Sequence, residues 1–174
     1  GEQSYEKNFA PFDFNPKEID FVLLTHAHVD HCGRLPRLVK SGFKGKIFCT
    51  PPTAELAVLM MLDSAKIFLS EQGRGQEPLY YDYDVAETKS LFDEVFYDKE
   101  EVIMSGIKVT ARDAGHILGS SIFEVVVNDK GVNKKLVFSG DLGNSPSVIL
   151  KDTENISGAD FVFMESTYGN EVHE

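Results

Sequence analysis

The densest group of side chains that could do chemistry is HAHVDH, residues 26–31. It holds three of the chain's five histidines, and imidazole with carboxylate is the ligand set expected for zinc and related metals. His26 and His28 are expected at the end of a strand, where alternate residues point to one side and can hold one cation. Asp30 and His31 follow into a helix and could hold a second. The alternative is a turn whose polar residues face solvent.

Two downstream residues extend this set. His116 stands in DAGHILGS, between glycines that allow the backbone to approach a site closely, and could add a third imidazole. Asp141 follows an apolar strand in FSGDLG, and a carboxylate there could bridge two cations about 3.5–4 Å apart, as two-metal hydrolases require. The ordinary alternatives are a packed histidine and a turn aspartate. Together the six residues predict a two-metal hydrolytic site.

The first half of the chain must supply the elements that position HAHVDH. Its patterns predict, in order, a buried strand over 19–25, a helix over 33–39, a strand over 46–50, a helix over 52–72 ending at Gly73, and a loop over 73–83. The apolar face of the long helix is predicted to comprise Ala54, Leu56, Ala57, Leu59, Met60, Leu62, Ala65 and Phe68. Asp84 with Glu87 has the form of a capping box for a helix reaching about Phe96.

The second half changes to strand-like patterns. The predicted strands are Val102–Met104, Ile107–Arg112, Ser121–Asn128, Lys135–Ser139 and Asp160–Met164, separated by glycine-, asparagine- and proline-containing turns. Helices early and strands later, without a repeat, predict an α/β sandwich.

The absence of long apolar runs and the spacing of the cysteines exclude some classes of protein. No run of about 18 apolar residues and no signal pattern occurs, so we expect no membrane association. Cys32 and Cys49 form no CxxC pair, which favours reduced thiols and a cytoplasmic location.

The net charge of −11 argues against a nucleic-acid binder that uses its whole surface. A local basic group is the exception; it consists of Arg34, Arg37, Lys40, Lys44 and Lys46. This group is interpreted either as a contact for RNA or as an ordinary solvated helix face. Bound metal cations would also change the local field, whatever the bulk charge.

The pattern HxHxDH, a later histidine and a later aspartate resembles the metallo-β-lactamase superfamily. The longer wording THAHVDHCGRLPRL, GHILGSS, SGDLGN and ESTYGN resembles its β-CASP branch of RNA- and DNA-processing nucleases, over nearly the whole chain. The resemblance implies a metallo-β-lactamase-type αββα sandwich, present in part. The family's first aspartate motif is expected before Gly1, and its cap and last ligand histidine beyond Glu174.

The resemblance also implies a role for each residue. The implied ligands of one zinc are His26, His28 and His116; those of the second are Asp30 and His31, with Asp141 bridging. Asp30 and Glu165 are the candidate catalytic residues, because Asp30 could orient the water or receive its proton. The family's counterpart of Glu165 interacts with a proton-transferring histidine from a later segment. His173 matches a family position outside the metal ligands.

The resemblance implies a zinc-dependent hydrolase that cleaves phosphodiesters, an RNA-processing endo- or exoribonuclease in its full-length form, with DNA as the alternative substrate. Residues 1–174 are then the N-terminal part of a metallo-β-lactamase domain, with an incomplete second zinc site and no activity alone. Two alternatives remain open. One is a thioester or lactam metallohydrolase, and the other is a non-catalytic scaffold subunit. No Ser-His-Asp grouping or phosphate-binding GxxxxGK loop offers a different chemistry.

Overall fold

The computed structural model of the chain describes residues 6–70, 77–144, 146–167, 169 and 170. The chain divides into two compact units, Gly1–Glu94 and Val95–Glu174. The first contains a three-stranded sheet and the second a five-stranded sheet. This mixed α/β architecture with two sheets confirms the α/β fold class predicted from the sequence.

The first unit is built from short strands and helices in alternation. Its elements are two 3-10 helices (Glu6–Phe9 and Pro16–Glu18), β1 (Phe21–Leu23), α1 (Val29–Cys32), α2 (Leu35–Lys40), β2 (Lys46–Cys49), α3 (Pro51–Ser70), α4 (Asp82–Lys89) and β3 (Phe92–Glu94). The strands are parallel in the order β1-β2-β3, with Ile47 of β2 opposite Val22 and Phe92. Ile47 is fully buried, as expected of a central strand covered on both faces.

Helix α2 begins two residues later and ends one residue later than the predicted range of 33–39. Pro36 lies in the first turn, where the missing N–H has no partner to lose. Ser41 caps the end, and Gly42 follows with φ +109°, a backbone conformation that glycine adopts without strain. The turn directs the chain into β2.

Helix α3 buries a narrower face than its sequence predicts. The buried side chains are Thr53, Ala57, Met61 and Ala65, which recur every fourth residue. Leu59 and Met60 are exposed, so the prediction was wrong for these two and missed Met61. Apolar residues occur on almost every side of this helix, and periodicity therefore could not identify the inward line. Among the described residues, no helix is long and apolar enough to cross a bilayer.

The predicted helix through Phe96 is corrected to a shorter helix followed by a strand. Helix α4 begins at Asp82, and the Asp84 carboxylate accepts a hydrogen bond of 2.8 Å from the Tyr81 N–H, so Asp84 is the third helical residue and not the cap. The helix ends at Lys89 because the next residues pair with β2. The Ile47 N–H donates to the Leu91 carbonyl. The predicted stop at Gly73 lies outside the described residues.

The second unit is a sheet of five strands with the order β4-β5-β6-β7-β8. The strands are β4 (Glu100–Met104), β5 (Ile107–Asp113), β6 (Ser121–Asp129), β7 (Val132–Phe138) and β8 (Phe161–Phe163). All five strands predicted for this half are present. Neighbours from β4 to β7 are antiparallel, and β8 joins β7 in parallel. Strand β8 exposes apolar side chains on both faces, with Phe161, Val162 and Phe163 each more than half exposed.

A buried carboxylate ties three strands of this sheet together. Glu124 of β6 accepts hydrogen bonds from Arg112 of β5, at 2.6 Å, and from Lys135 of β7. Arg112 also donates to Asp98 at 2.6 Å. Burial by itself would raise the pKa of Glu124, but the bonds from Lys135 and Arg112 outweigh it and hold that pKa below its usual range. The carboxylate therefore stays ionised and bonded at neutral pH.

Candidate metal centre

The first ligand pair lies in the irregular segment between β1 and α1. Nε2 of His26 is 3.1 Å from Nδ1 of His28, and the two rings meet edge to face. His26 is completely buried and His28 half-buried. Strand β1 ends at Leu23, so the predicted strand was too long and the histidines follow it rather than belong to it. The two imidazole rings nonetheless bring their nitrogen atoms close together.

The donor set of this pair fits a transition-metal cation. Two nitrogen ligands on one tetrahedral zinc, each about 2.0–2.1 Å from the metal, would be about 3.3 Å apart, close to the observed 3.1 Å. The hydroxyl of Thr25 lies 3.2 Å from Nδ1 of His26, on the ring edge away from His28. Such a partner fixes the orientation of a ligating imidazole. Thr25 was not predicted as a site residue, although its place beside His26 is a usable signal.

Asp30 and His31 lie on α1, one turn beyond the first pair. The ring of His31 is centred 4.1 Å from that of His26, and its Nε2 is 3.6 Å from an Asp30 carboxylate oxygen. The Asp30 side chain is 74% exposed and that of His31 31% exposed. The helix therefore places these two side chains on the solvent side of His26, where they could serve a second cation. That role stays a prediction.

The two cysteines are free and buried, and they do not extend the ligand set. The Cys32 thiol lies 3.3 Å from the Ala27 carbonyl and donates to it. Burial raises the pKa of Cys32 to about 11 and, with the nearby Glu94 carboxylate, that of Cys49 to about 12. Both groups are therefore protonated thiols of low nucleophilicity at neutral pH in the metal-free chain.

The second ligand pair belongs to the second unit. Nε2 of His116 is 3.7 Å from an Asp141 carboxylate oxygen, and both side chains are about three-quarters buried. His116 lies in the loop from β5 to β6, and Asp141 lies in the loop after β7. These loops leave the sheet beside one another because β6 pairs with both β5 and β7. An imidazole nitrogen and a carboxylate oxygen at this spacing can serve one cation.

Ser120 holds the backbone of the His116 loop. Its hydroxyl is completely buried and accepts hydrogen bonds from the N–H groups of His116, at 3.1 Å, and Ile117, at 3.2 Å. Its carbonyl accepts the Tyr97 hydroxyl proton at 2.7 Å. These contacts are those of a structural residue.

The loops of His116 and Asp141 touch at two glycines and one threonine. The Gly143 N–H donates to the Ala114 carbonyl at 2.9 Å, and a Cβ on Gly143 would overlap the carbonyl of Gly115. Gly115 has φ +64°. The Thr153 hydroxyl lies 2.9 Å from the Ala114 carbonyl, and thereby joins the two loops. Sequence patterns did not identify Gly143 or Thr153 as supports of the site.

Glu165 follows β8 and faces the Asp141 loop. Its carboxylate accepts a hydrogen bond from the Leu142 N–H, and its own N–H donates to the Ser139 hydroxyl at 3.2 Å. Together with His116, Asp141 and neighbouring hydroxyl residues, Glu165 lines a cavity of about 480 Å³. His173, the other residue of this motif, lies outside the described residues.

The predicted basic group is already engaged with the protein at most of its positions. Arg37 donates to the carbonyls of Asn8 and Phe9, and Arg34 donates to the Ala10 carbonyl at 3.1 Å. Lys44 pairs with Glu87, Lys46 lies 4.0 Å from Asp93, and Lys40 lies over the Tyr81 ring. The two arginines thereby tie α2 to the N-terminal segment, and a contact of the basic group with RNA stays a prediction.

Comparisons with known proteins agree with the family resemblance of the sequence. A family model described as a metallo-beta-lactamase superfamily domain matches residues 1–159. A ribonuclease of Thermus thermophilus is 37% identical over 167 residues, which are 96% of this chain and 36% of the ribonuclease. The transcription termination factor FttA of Methanosarcina mazei is 35% identical over 171 residues, 95% of this chain and 26% of the factor.

The chain thus spans only about a third or less of these relatives. Among solved structures, a B3 metallo-β-lactamase with an active-site glutamic acid is 21% identical, covers 73% of this chain and 43% of its own, and has a TM-score of 0.46.

Proposed function

Because the chain belongs to the metallo-β-lactamase superfamily, we propose that residues 1–174 are the N-terminal part of a metallo-β-lactamase domain in a zinc-dependent RNA-processing nuclease. The full-length protein would hydrolyse phosphodiester bonds of RNA. A relative named ribonuclease and another named transcription termination factor support RNA over other substrates of this superfamily. A cytoplasmic location is part of the same proposal.

One observation carries the proposal: each unit holds a ligand pair that is already assembled. His26 and His28 approach to 3.1 Å, and His116 and Asp141 to 3.7 Å. Within each pair, the donor atoms lie close enough together to serve one cation. The proposed ligands of one zinc are His26, His28 and His116; those of the second are Asp30 and His31, with Asp141 bridging.

Bound zinc ions would lower the pKa of a water and stabilise the negative charge that develops on the phosphate oxygens. The chain's own residues then orient the His26 ring and the attacking water, and one of them can accept a proton. Thr25 holds the His26 ring in one orientation. The exposed Asp30 carboxylate can orient the attacking water or accept its proton. We also propose that the second zinc binds more weakly than the first in the 174-residue chain, and that this chain has no activity alone.

The test uses the full-length protein loaded with zinc and a labelled RNA. We expect cleavage by the wild type and a loss of more than about 100-fold in His26→Ala, because a ligand contributes more than the outer partners whose loss costs 10–100-fold. Lys108→Ala, which changes an exposed residue paired with Glu100, is the matched control. A wild type that cuts no RNA, with the His26→Ala protein indistinguishable from it, would overturn the proposal.

Two further measurements separate the alternatives. A panel of thioesters and lactams tests the small-molecule hydrolases, and rapid turnover of one of them with intact RNA would replace the nuclease proposal. Metal analysis of the purified full-length protein tests the scaffold, because a non-catalytic subunit that has lost its metal function would contain no zinc. The same RNA assay with single-stranded DNA decides between the two nucleic acids.

A further inference from the structure

We propose that Glu165 is a positioning residue that holds the Asp141 carboxylate in place. This inference rests on the proposed function and adds a role for one residue of the same site. Its carboxylate bonds to the backbone of the residue next to Asp141, and this contact gives it a task distinct from proton transfer. The sequence resemblance suggested a catalytic role through a histidine of a later segment. The structure assigns Glu165 a partner within the described residues, the Leu142 N–H.

The contacts of Glu165 reach both sides of Asp141. On the C-terminal side, its carboxylate accepts the Leu142 N–H. On the N-terminal side, its N–H donates to the Ser139 hydroxyl, and that hydroxyl donates in turn to the Gly140 carbonyl at 2.6 Å. The residues before and after Asp141 are thus bonded to the segment that follows β8.

The Asp141 loop needs such contacts because its own sequence leaves it flexible. Asp141 lies between Gly140, which has φ +55°, and Gly143. Glycine gives the backbone more conformations than any other residue, so a glycine-flanked loop loses more entropy when it is fixed. A hydrogen bond to an ionised acceptor is about twice as strong as one between neutral groups, which suits a carboxylate for this task.

Two substitutions of Glu165 separate positioning from proton transfer. Glu165→Gln removes the ionisable group but keeps an oxygen that can accept the Leu142 N–H, whereas Glu165→Ala removes both. A positioning role predicts that glutamine rescues most of the function. A proton-transfer role predicts that glutamine and alanine are equally inactive, with zinc binding unchanged in each.

The experiment is a zinc titration of the 174-residue chain by calorimetry. We expect Glu165→Ala to weaken zinc binding by about 10- to 100-fold, the usual effect of losing a group that supports a ligand. Glu165→Gln should stay within about threefold of the wild type, since a neutral hydrogen bond replaces a charged one. Ser139→Ala should fall between them. Glu100→Ala, an exposed carboxylate of β4, is the matched control and should bind as the wild type does.

Hydrogen exchange of the Leu142 amide in the zinc-free chain provides a second readout, independent of zinc and of activity. It should be faster by about tenfold or more in Glu165→Ala, because the amide loses its acceptor. Unchanged exchange, or zinc affinity unchanged in a folded Glu165→Ala chain, would overturn the inference. If Glu165→Ala fails to fold, a Glu165→Gln chain with alanine-like loss of zinc affinity would overturn it as well. A wild-type chain that binds no zinc would instead overturn the proposed function, while the Leu142 exchange still decides the inference.

Discussion

The two ligand pairs are constructed in opposite ways. His26 and His28 are two residues apart in one segment, and they converge through the local course of the backbone. His116 and Asp141 come from different loops and depend on hydrogen bonds made by residues that are not ligands. The comparison teaches that a ligand pair can be fixed by chain continuity or by a surrounding network. Only the second kind should lose stability when residues far from the ligands in the sequence are changed.

Replacing Gly143 is the strongest test of this difference. A Cβ in Gly143→Ala would overlap the Gly115 carbonyl, so the two ligand loops must separate. We expect the free energy of unfolding to fall by about 3 kcal/mol and zinc affinity to fall with it. Urea denaturation and zinc titration measure both quantities. Gly131→Ala is the control, because a Cβ at this position meets no atom within 4 Å. Since Gly131 has φ +86°, the substitution should lower the free energy of unfolding by only about 1 kcal/mol through backbone strain. Equal losses would show that the contact between the loops is not required.

The Glu124 cluster tests whether the sheet beneath the second pair depends on charge. Glu124→Gln should lower the free energy of unfolding by about 2 kcal/mol at pH 7, because two charge-assisted hydrogen bonds are weakened. The pKa of Glu124 is depressed in the folded chain. Its contribution is therefore present above the unfolded pKa of about 4.3 and is lost as pH falls through the folded value.

Denaturation of both proteins at pH 7 and in steps below pH 5 gives the measurement. The difference in stability between wild type and Glu124→Gln should shrink on acidification. A difference that is constant with pH would mean that Glu124 contributes through packing and not through its charge.

The smallest effects are expected from replacing Thr153 and Thr25, one threonine beside each pair. Thr153→Val removes the hydroxyl that joins the second pair's loops, and should lower the free energy of unfolding by about 1 kcal/mol. Thr25→Val removes the hydroxyl beside His26 and should leave stability within about 0.5 kcal/mol while weakening zinc binding about tenfold. Thermal unfolding and zinc titration of both variants provide the comparison. The opposite pattern, with Thr25→Val the less stable protein, would contradict the distinction between the two pairs.

The sequence predicted what local patterns determine. The close approach of His26 to His28, the place of Pro36 in the first turn of α2 and all five strands of the second unit follow from spacing and residue type. Strand β3 could not be predicted, because Phe92 becomes a strand residue only through pairing with Ile47, a contact between distant parts of the chain. The buried face of α3 was ambiguous because apolar residues surround that helix.

The supports of the candidate site were missed for a related reason. Thr153 belongs to no motif. Gly143 lies in SGDLGN, but the motif does not show that its Cα would lie against the Gly115 carbonyl after the strands have paired. Glu165 was predicted from a family resemblance, but its bond to Leu142 has no counterpart in the sequence pattern. Residue types and spacing therefore predict the candidate ligands, whereas the residues that hold those ligands in place are identified only by their tertiary contacts.

Strand β8 has a consequence for handling the isolated chain. Phe161, Val162 and Phe163 of this edge strand are each 54–60% exposed, and Met164, which follows the strand, is 66% exposed. An apolar strand edge of this kind offers unpaired backbone groups and hydrophobic side chains to any other copy in solution. We therefore expect the chain to lose colloidal stability as its concentration rises. A solubilising fusion or a charged substitution at Val162 should keep it in solution long enough for its zinc affinity to be measured.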